Sequence, residues 1–207
     1  MVFSADYIVP ELKARERFAA IREMVTHLVH CGLIRREDQK DLVTAFVRRE
    51  KSISTGLAFG LATPCARFER ISDVVMAFGR SVSGIEFASL DSQPAHLILM
   101  FIIPAGSSAH EREYMDIKFP FMDRWIKQEG LRGRLLRSLL RSNTAEEIFS
   151  LLKKHLRLKQ TRLYVMPPIP IWMVLELQGR SSSTKRDLEV QAPKTPIKPA
   201  RSIGKKH

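Results

Sequence analysis

Residues 96–104, HLILMFIIP, decide the fold of this chain. Seven large apolar residues run without interruption from Leu97 to Ile103, and Pro104 and Gly106 close the run. It is too short for a buried helix. Apolar side chains at every position, rather than at alternate ones, suit a strand covered on both faces of a sheet. Working outward, helices are predicted over 108–127 and 131–140. Thr144 with Glu147 three residues on forms a capping box for a helix over 145–156. Upstream, ISDVVMAFG (71–79) and IEFA (85–88) have strand-like composition. Phe18, Ile21, Val25, Leu28 and Val29 recur at helical spacing over 14–31, with Gly32 as a stop. Leu42, Val43, Phe46 and Val47 carry a second helix over 37–50. Strands interleaved with helices predict one α/β domain with a largely buried sheet, without internal repeats.

Length and charge bound the rest. The 207 residues carry 34 Lys+Arg against 22 Asp+Glu, net +12. Residues 1–152 hold 21 and 19 of these, so ten of the twelve excess charges follow Leu152. The body is nearly neutral. The final segment, 179–207, is rich in Ser, Lys and Pro and poor in large apolar residues, so it is expected to be disordered. It reads as a solubilising tail or as a contact for nucleic acid or an acidic partner. No aromatic residue is interleaved there to stack on bases. Residues 154–178 form an apolar and basic arm in which Trp172, Met173, Val174 and Leu175 are expected to pack on the body or dock a partner.

Several classes are excluded. Two cysteines, Cys31 and Cys65, cannot make a disulfide scaffold or a zinc module. His27, His30, His96 and His155 show no ligand spacing, so neither metal nor cofactor is expected. No secretory signal or transmembrane run is legible, and a cytoplasmic protein with reduced thiols is the expectation.

Residues 52–68, SISTGLAFGLATPCARF, break the helical pattern with Gly56, Gly60 and Pro64 and read as a turn, a short strand and a loop. The glycine spacing is not a P-loop and is better suited to a tight turn and close strand packing. Arg49 and Glu50 are expected near the exposed end of a helix. Cys65 alone reads as a small buried hydrophobe, and His110 as a helix-start residue.

The run 48–68, RREKSISTGLAFGLATPCARF, resembles the signature of the type-2 enzyme IIA domains of the phosphoenolpyruvate-dependent sugar phosphotransferase system (mannitol, fructose and nitrogen-regulatory type). Its pattern is approximately R-E-x-x-x-S-T-G-x-x-x-G-x-A-x-P-H. Arg49, Glu50, Ser54, Thr55, Gly56, Gly60, Ala62 and Pro64 fall in register. GIEFASLDSQPAHLILMFIIPAG is similar to the family segment that follows, and LRGRLLRSLLRSNTAEEIFSLL to its last two helices. The resemblance implies a mixed β-sheet flanked by helices over residues 1–153, with the arm and tail as a C-terminal extension.

It also implies a site. In the family a histidine following the Pro accepts a phosphoryl group from the histidine-containing phosphocarrier protein and passes it to a IIB-type partner. Cys65 stands at that position, His110 at that of the second family histidine, and Arg49 at that of the arginine of the R-E pair. The expectation is a IIA-like protein that has become regulatory, docking these partners or a regulatory target protein without carrying phosphohistidine. One alternative is a phosphocarrier that uses Cys65. Another is a binding module acting through the basic tail.

Overall fold

The structure, a computed structural model, describes residues 1–156. At its centre lies the apolar run, as strand β5 (Ala95–Pro104). On one side β5 pairs antiparallel with β4 (Val75–Ile85), with Phe78 opposite Leu99. Outside β4 lies the short β1 (Ile8–Val9), parallel to it. The other edge of β5 is covered by two short strands placed end to end, β2 (Leu61–Ala62) and β3 (Cys65–Phe68), both parallel to β5. Ala62 faces Ile98 and Cys65 faces Phe101. The two are separated by Thr63 and Pro64. Proline has no N–H to give a ladder, so its carbonyl alone is used, accepting from Phe101 N at 2.9 Å. The result is a five-stranded mixed sheet.

Both faces of that sheet are covered. Ile98, Met100 and Ile102 of β5 enter a core with Ile21, Met24, Val25 and Leu28 of α1 (Arg17–His30) and Leu42 and Phe46 of α2 (Gln39–Ser52). Leu97, Leu99, Phe101 and Ile103 enter the opposite core. There they meet Tyr114, Phe121 and Trp125 of α3 (Ser108–Lys127), Leu135 and Leu139 of α4 (Glu129–Arg141), and Ile148 and Leu152 of α5 (Ala145–Leu156). The uniform apolarity of the central run follows from this, since each alternate residue serves a different core. Each fully buried Leu, Ile or Phe contributes about 1.5–3 kcal/mol by leaving water.

Local chemistry sets the ends of the elements. α1 begins at Arg17 rather than near residue 14 because the Glu16 carboxylate accepts the N–H groups of Phe18 (2.8 Å) and Ala19 (2.6 Å). Gly32, at φ +73°, reverses the chain after it. The capping box forms in part: Glu147 N donates to Thr144 Oγ1 at 3.2 Å, but the Glu147 carboxylate takes the N–H of Asn143, at 2.8 Å, in place of that of Thr144. The strand expectations over 71–79 and 85–88 are corrected to the single β4, which starts only at Val75 and passes through Gly79. A Cβ on Gly79 would come within 2.6 Å of Leu12 Cδ1, so the missing side chain is what lets the N-terminal segment pack against the strand.

Among the described residues no helix is long and apolar enough to cross a membrane. The arm and tail expected over 154–178 and 179–207 lie, from residue 157 onward, outside the described residues.

Candidate functional site

The interrupted edge formed by β2 and β3 places the candidate residues. Because side chains alternate along β3, Ala66 and Phe68 turn toward the α1–α2 core. Cys65 and Arg67 turn the other way, toward α3. Cys65 is half-buried and packs against the core that contains Tyr114. The ring of Tyr114 meets that of Phe101, the β5 residue opposite Cys65, edge-on at 5.0 Å. The Tyr114 hydroxyl and the Cys65 sulfur are electrostatic neighbours. On its other side the hydroxyl accepts from Lys118 Nζ at 2.6 Å. Burial first, then the adjacent Cys65, pushes the Tyr114 hydroxyl well above its ordinary range, so it stays protonated. Burial also pulls the Lys118 ammonium below its ordinary value, an effect that Cys65 opposes and Arg49 reinforces.

Arg49 comes from the end of α2. Its Nη1 donates to Ile53 O at 2.9 Å, and its charge reaches both Tyr114 and Lys118. Arg67 is engaged by Glu111, which fastens β3 to the first turn of α3 and holds the Arg67 proton more tightly. His110 lies in the same first turn, four residues before Tyr114 on the same helical face. Its backbone N–H donates to the N-cap Ser107 Oγ at 3.4 Å. Its Nδ1 is buried with no hydrogen-bond partner among the described residues. Arg49, Cys65 and the α3 turn that bears His110 are thus gathered at one edge of the sheet.

Glu50 departs from expectation. It is buried, 1% exposed, and is not part of a solvated pair. Its carboxylate accepts Thr55 N–H at 2.8 Å, Thr55 Oγ1 at 2.6 Å and Ser54 Oγ at 3.0 Å, with Arg17 Nη1 at 3.9 Å. Ser54 also donates to Phe87 O at 2.7 Å. These hydroxyls are therefore spent on the loop. Gly56 allows close backbone approach, since an added Cβ would sit 2.8 Å from Phe87 O, and Gly60 adopts φ +78°.

The sequence reading missed Tyr114 and Lys118. The available signal was their spacing, four and eight residues after His110, which puts all three on one face of α3. Among the described residues no group of three or more His, Cys, Asp and Glu side chains could hold a metal ion.

Comparison with known proteins agrees with this architecture. Residues 1–155 match the family model described as phosphoenolpyruvate-dependent sugar phosphotransferase system, EIIA 2. The fructose-specific EIIABC component of Bacillus subtilis is 28% identical over 144 residues. That match covers 70% of this chain but only 21% of the relative, so the chain spans about a fifth of that protein's length. Nitrogen regulatory protein IIA-Ntr from Neisseria meningitidis superposes with a TM-score of 0.60 at 22% identity, covering 72% of this chain and 94% of that one. The complex of enzyme IIA and phosphorylated enzyme IIB for mannitol from Escherichia coli superposes with a TM-score of 0.55 at 20% identity, covering 74% of this chain and 98% of that one.

Proposed function

Because the chain belongs to the EIIA 2 family of the phosphoenolpyruvate-dependent sugar phosphotransferase system, we propose that it is a regulatory IIA-type protein. In this reading residues 1–153 dock a histidine-containing phosphocarrier, a IIB-type protein or a regulatory target, and do not carry phosphohistidine. One observation carries the reading. The side chain that opens β3, beside Arg49 and the first turn of α3, is the thiol of Cys65 and not an imidazole. The nitrogen-regulatory and IIB-bound proteins of the same fold supply the partner classes. Exposed Ile53, next to the Arg49 contact, and exposed Met115, next to Tyr114, offer apolar surface for docking.

Incubation with carrier radiolabelled on its phosphohistidine tests this. The wild-type chain and Cys65→Ala remain unlabelled while still binding the carrier. Label that is present on the wild type and absent from Cys65→Ala overturns the regulatory reading. It establishes instead the second reading, favoured by the charges of Arg49, Arg67 and Lys118 around the sulfur. In that reaction a Cys65 S–P bond forms, the carrier's P–N bond breaks, and the thiol proton passes to the carrier imidazole.

A further inference from the structure

The outer face of α4 carries a row of arginines that the domain itself does not use. Arg134, Arg137 and Arg141 follow one another at intervals of three and four residues, so they share one face of the helix, and all three are exposed. Leu135 and Leu139, on the opposite face, are buried in the core beneath. Among the described residues no carboxylate pairs with any of the three. Other arginines of the domain are answered locally: Arg67 by Glu111, Arg70 by Asp38 and Asp41, Arg80 by Glu11.

The residues between the arginines are small. Gly130 and Ser138 are exposed on the same face, and Gly133 adjoins it. Glycine weakens a helix relative to alanine, and packing does not call for it here. Beyond the helix's own backbone, an added Cβ would meet only the arginines, Arg134 Nη1 at 3.5 Å from Gly130 and Arg137 Nη1 at 3.3 Å from Gly133. The large apolar residues exposed among the described ones, Ile53, Phe59, Val82 and Met115, all lie outside α4. The face thus has cations and no apolar anchor, unlike a membrane-surface helix or the centre of a protein interface. The rest of the chain adds to this charge instead of answering it. Residues 129–156 carry six Lys+Arg against three Asp+Glu, and residues 157–207 carry eleven against three.

We propose that this arginine face binds the phosphate backbone of a nucleic-acid duplex. A guanidinium is a planar fork that matches two phosphate oxygens at once, which the point charge of a lysine does not. From Arg134 to Arg141 the helix rises about 10.5 Å. One strand of a duplex presents a phosphate about every 3.4 Å along its axis, so the three arginines meet a run of about three phosphates. Contacts of this kind hold a duplex without reading its sequence. The face lies on a different element from Cys65 and Arg49, so it stands or falls independently of phosphoryl transfer at the β3 edge.

Fluorescence anisotropy of a labelled, mixed-sequence duplex of about 20 base pairs, titrated with the full chain between about 50 and 200 mM NaCl, tests this. The duplex is offered as DNA and as RNA, which separates the two sources of the backbone, and binding of either supports the proposal. Changing the face by Arg134→Gln, Arg137→Gln and Arg141→Gln together should weaken binding about tenfold and lower the slope of log K against log salt by about three. A control removes as much charge from α2, across the sheet, by Lys40→Gln, Arg48→Gln and Lys51→Gln, all at exposed positions. It should change binding much less. A wild-type chain that binds neither duplex, a face variant that matches wild type in affinity and salt slope, or a control as weak as the face variant overturns the proposal. If the face variant instead loses binding to phosphatidylserine vesicles or to polyglutamate while duplex binding is unchanged, the face serves a lipid or an acidic protein and the proposal is overturned.

Discussion

The carboxylate of Glu50 takes both the backbone N–H and the hydroxyl of Thr55, at 2.8 and 2.6 Å, in a site where Glu50 is 1% exposed. This ties the end of α2 to the loop that leads into β2 and β3, and so fixes where Arg49 stands relative to Cys65. Glu50→Ala strands two buried donors and should destabilise the domain by about 3 kcal/mol. Glu50→Gln keeps an acceptor and should cost roughly a third of that. Urea unfolding of the two variants checks the order.

Two glycines should respond oppositely to alanine. At Gly56 the new Cβ meets backbone, 2.8 Å from both Phe87 O and Ser89 Cα, which cannot yield without moving the site loop. Gly56→Ala should cost about 1–3 kcal/mol. At Gly133, inside α4, the nearest atom is the flexible end of Arg137 at 3.3 Å. Gly133→Ala should stabilise by about 0.5–1 kcal/mol through helix propensity. Thermal unfolding midpoints should move in opposite directions.

His155 near the end of α5 has its imidazole pKa lowered, first by burial and then by Lys154, Arg124 and Arg134. Arg134→Gln removes one of these like charges and should raise the His155 midpoint, read by NMR titration of its ring protons. Since the folded pKa lies below the unfolded one, the neutral ring contributes stability above about pH 6.5. That contribution is lost as the pH falls through the folded value. The variant should flatten this part of the stability curve.

Asp38 supplies a second acid-sensitive step. Burial works against its charge, but hydrogen bonds from Arg70 and Arg35 outweigh it and hold the carboxyl below its ordinary range. With the folded pKa depressed, its contribution is fully present above about pH 4. It disappears as the pH falls through the folded value. Thermal midpoints measured from pH 5 to 3 should fall less steeply in Asp38→Asn than in wild type.

Much of this architecture is legible in the sequence because periodicity and punctuation report it directly. The apolar run 97–103 identifies the central strand, Gly32 and Thr144–Glu147 identify helix ends, and residues 52–68 identify the site loop. The failures have physical causes. Glu50 looks like a surface charge because its partners, Ser54 and Thr55, carry no sign in sequence that their hydroxyls point inward. β4 is misjudged because the expected strand ends at Gly79, whereas the observed one continues through it and needs it to make room for Leu12. Tyr114 and Lys118 are missed because residues on a helix become site residues only once β3 is known to place Cys65 beneath that face.

The central claim is that this domain keeps a IIA-type site in which the thiol of Cys65 replaces the imidazole that would carry a phosphoryl group. The most direct measurement is phosphoryl transfer from radiolabelled phospho-carrier to Cys65→His, side by side with wild type. The account predicts acid-labile label on the histidine variant and none on wild type. A Cys65→His chain that folds, binds the carrier and remains unlabelled would contradict it.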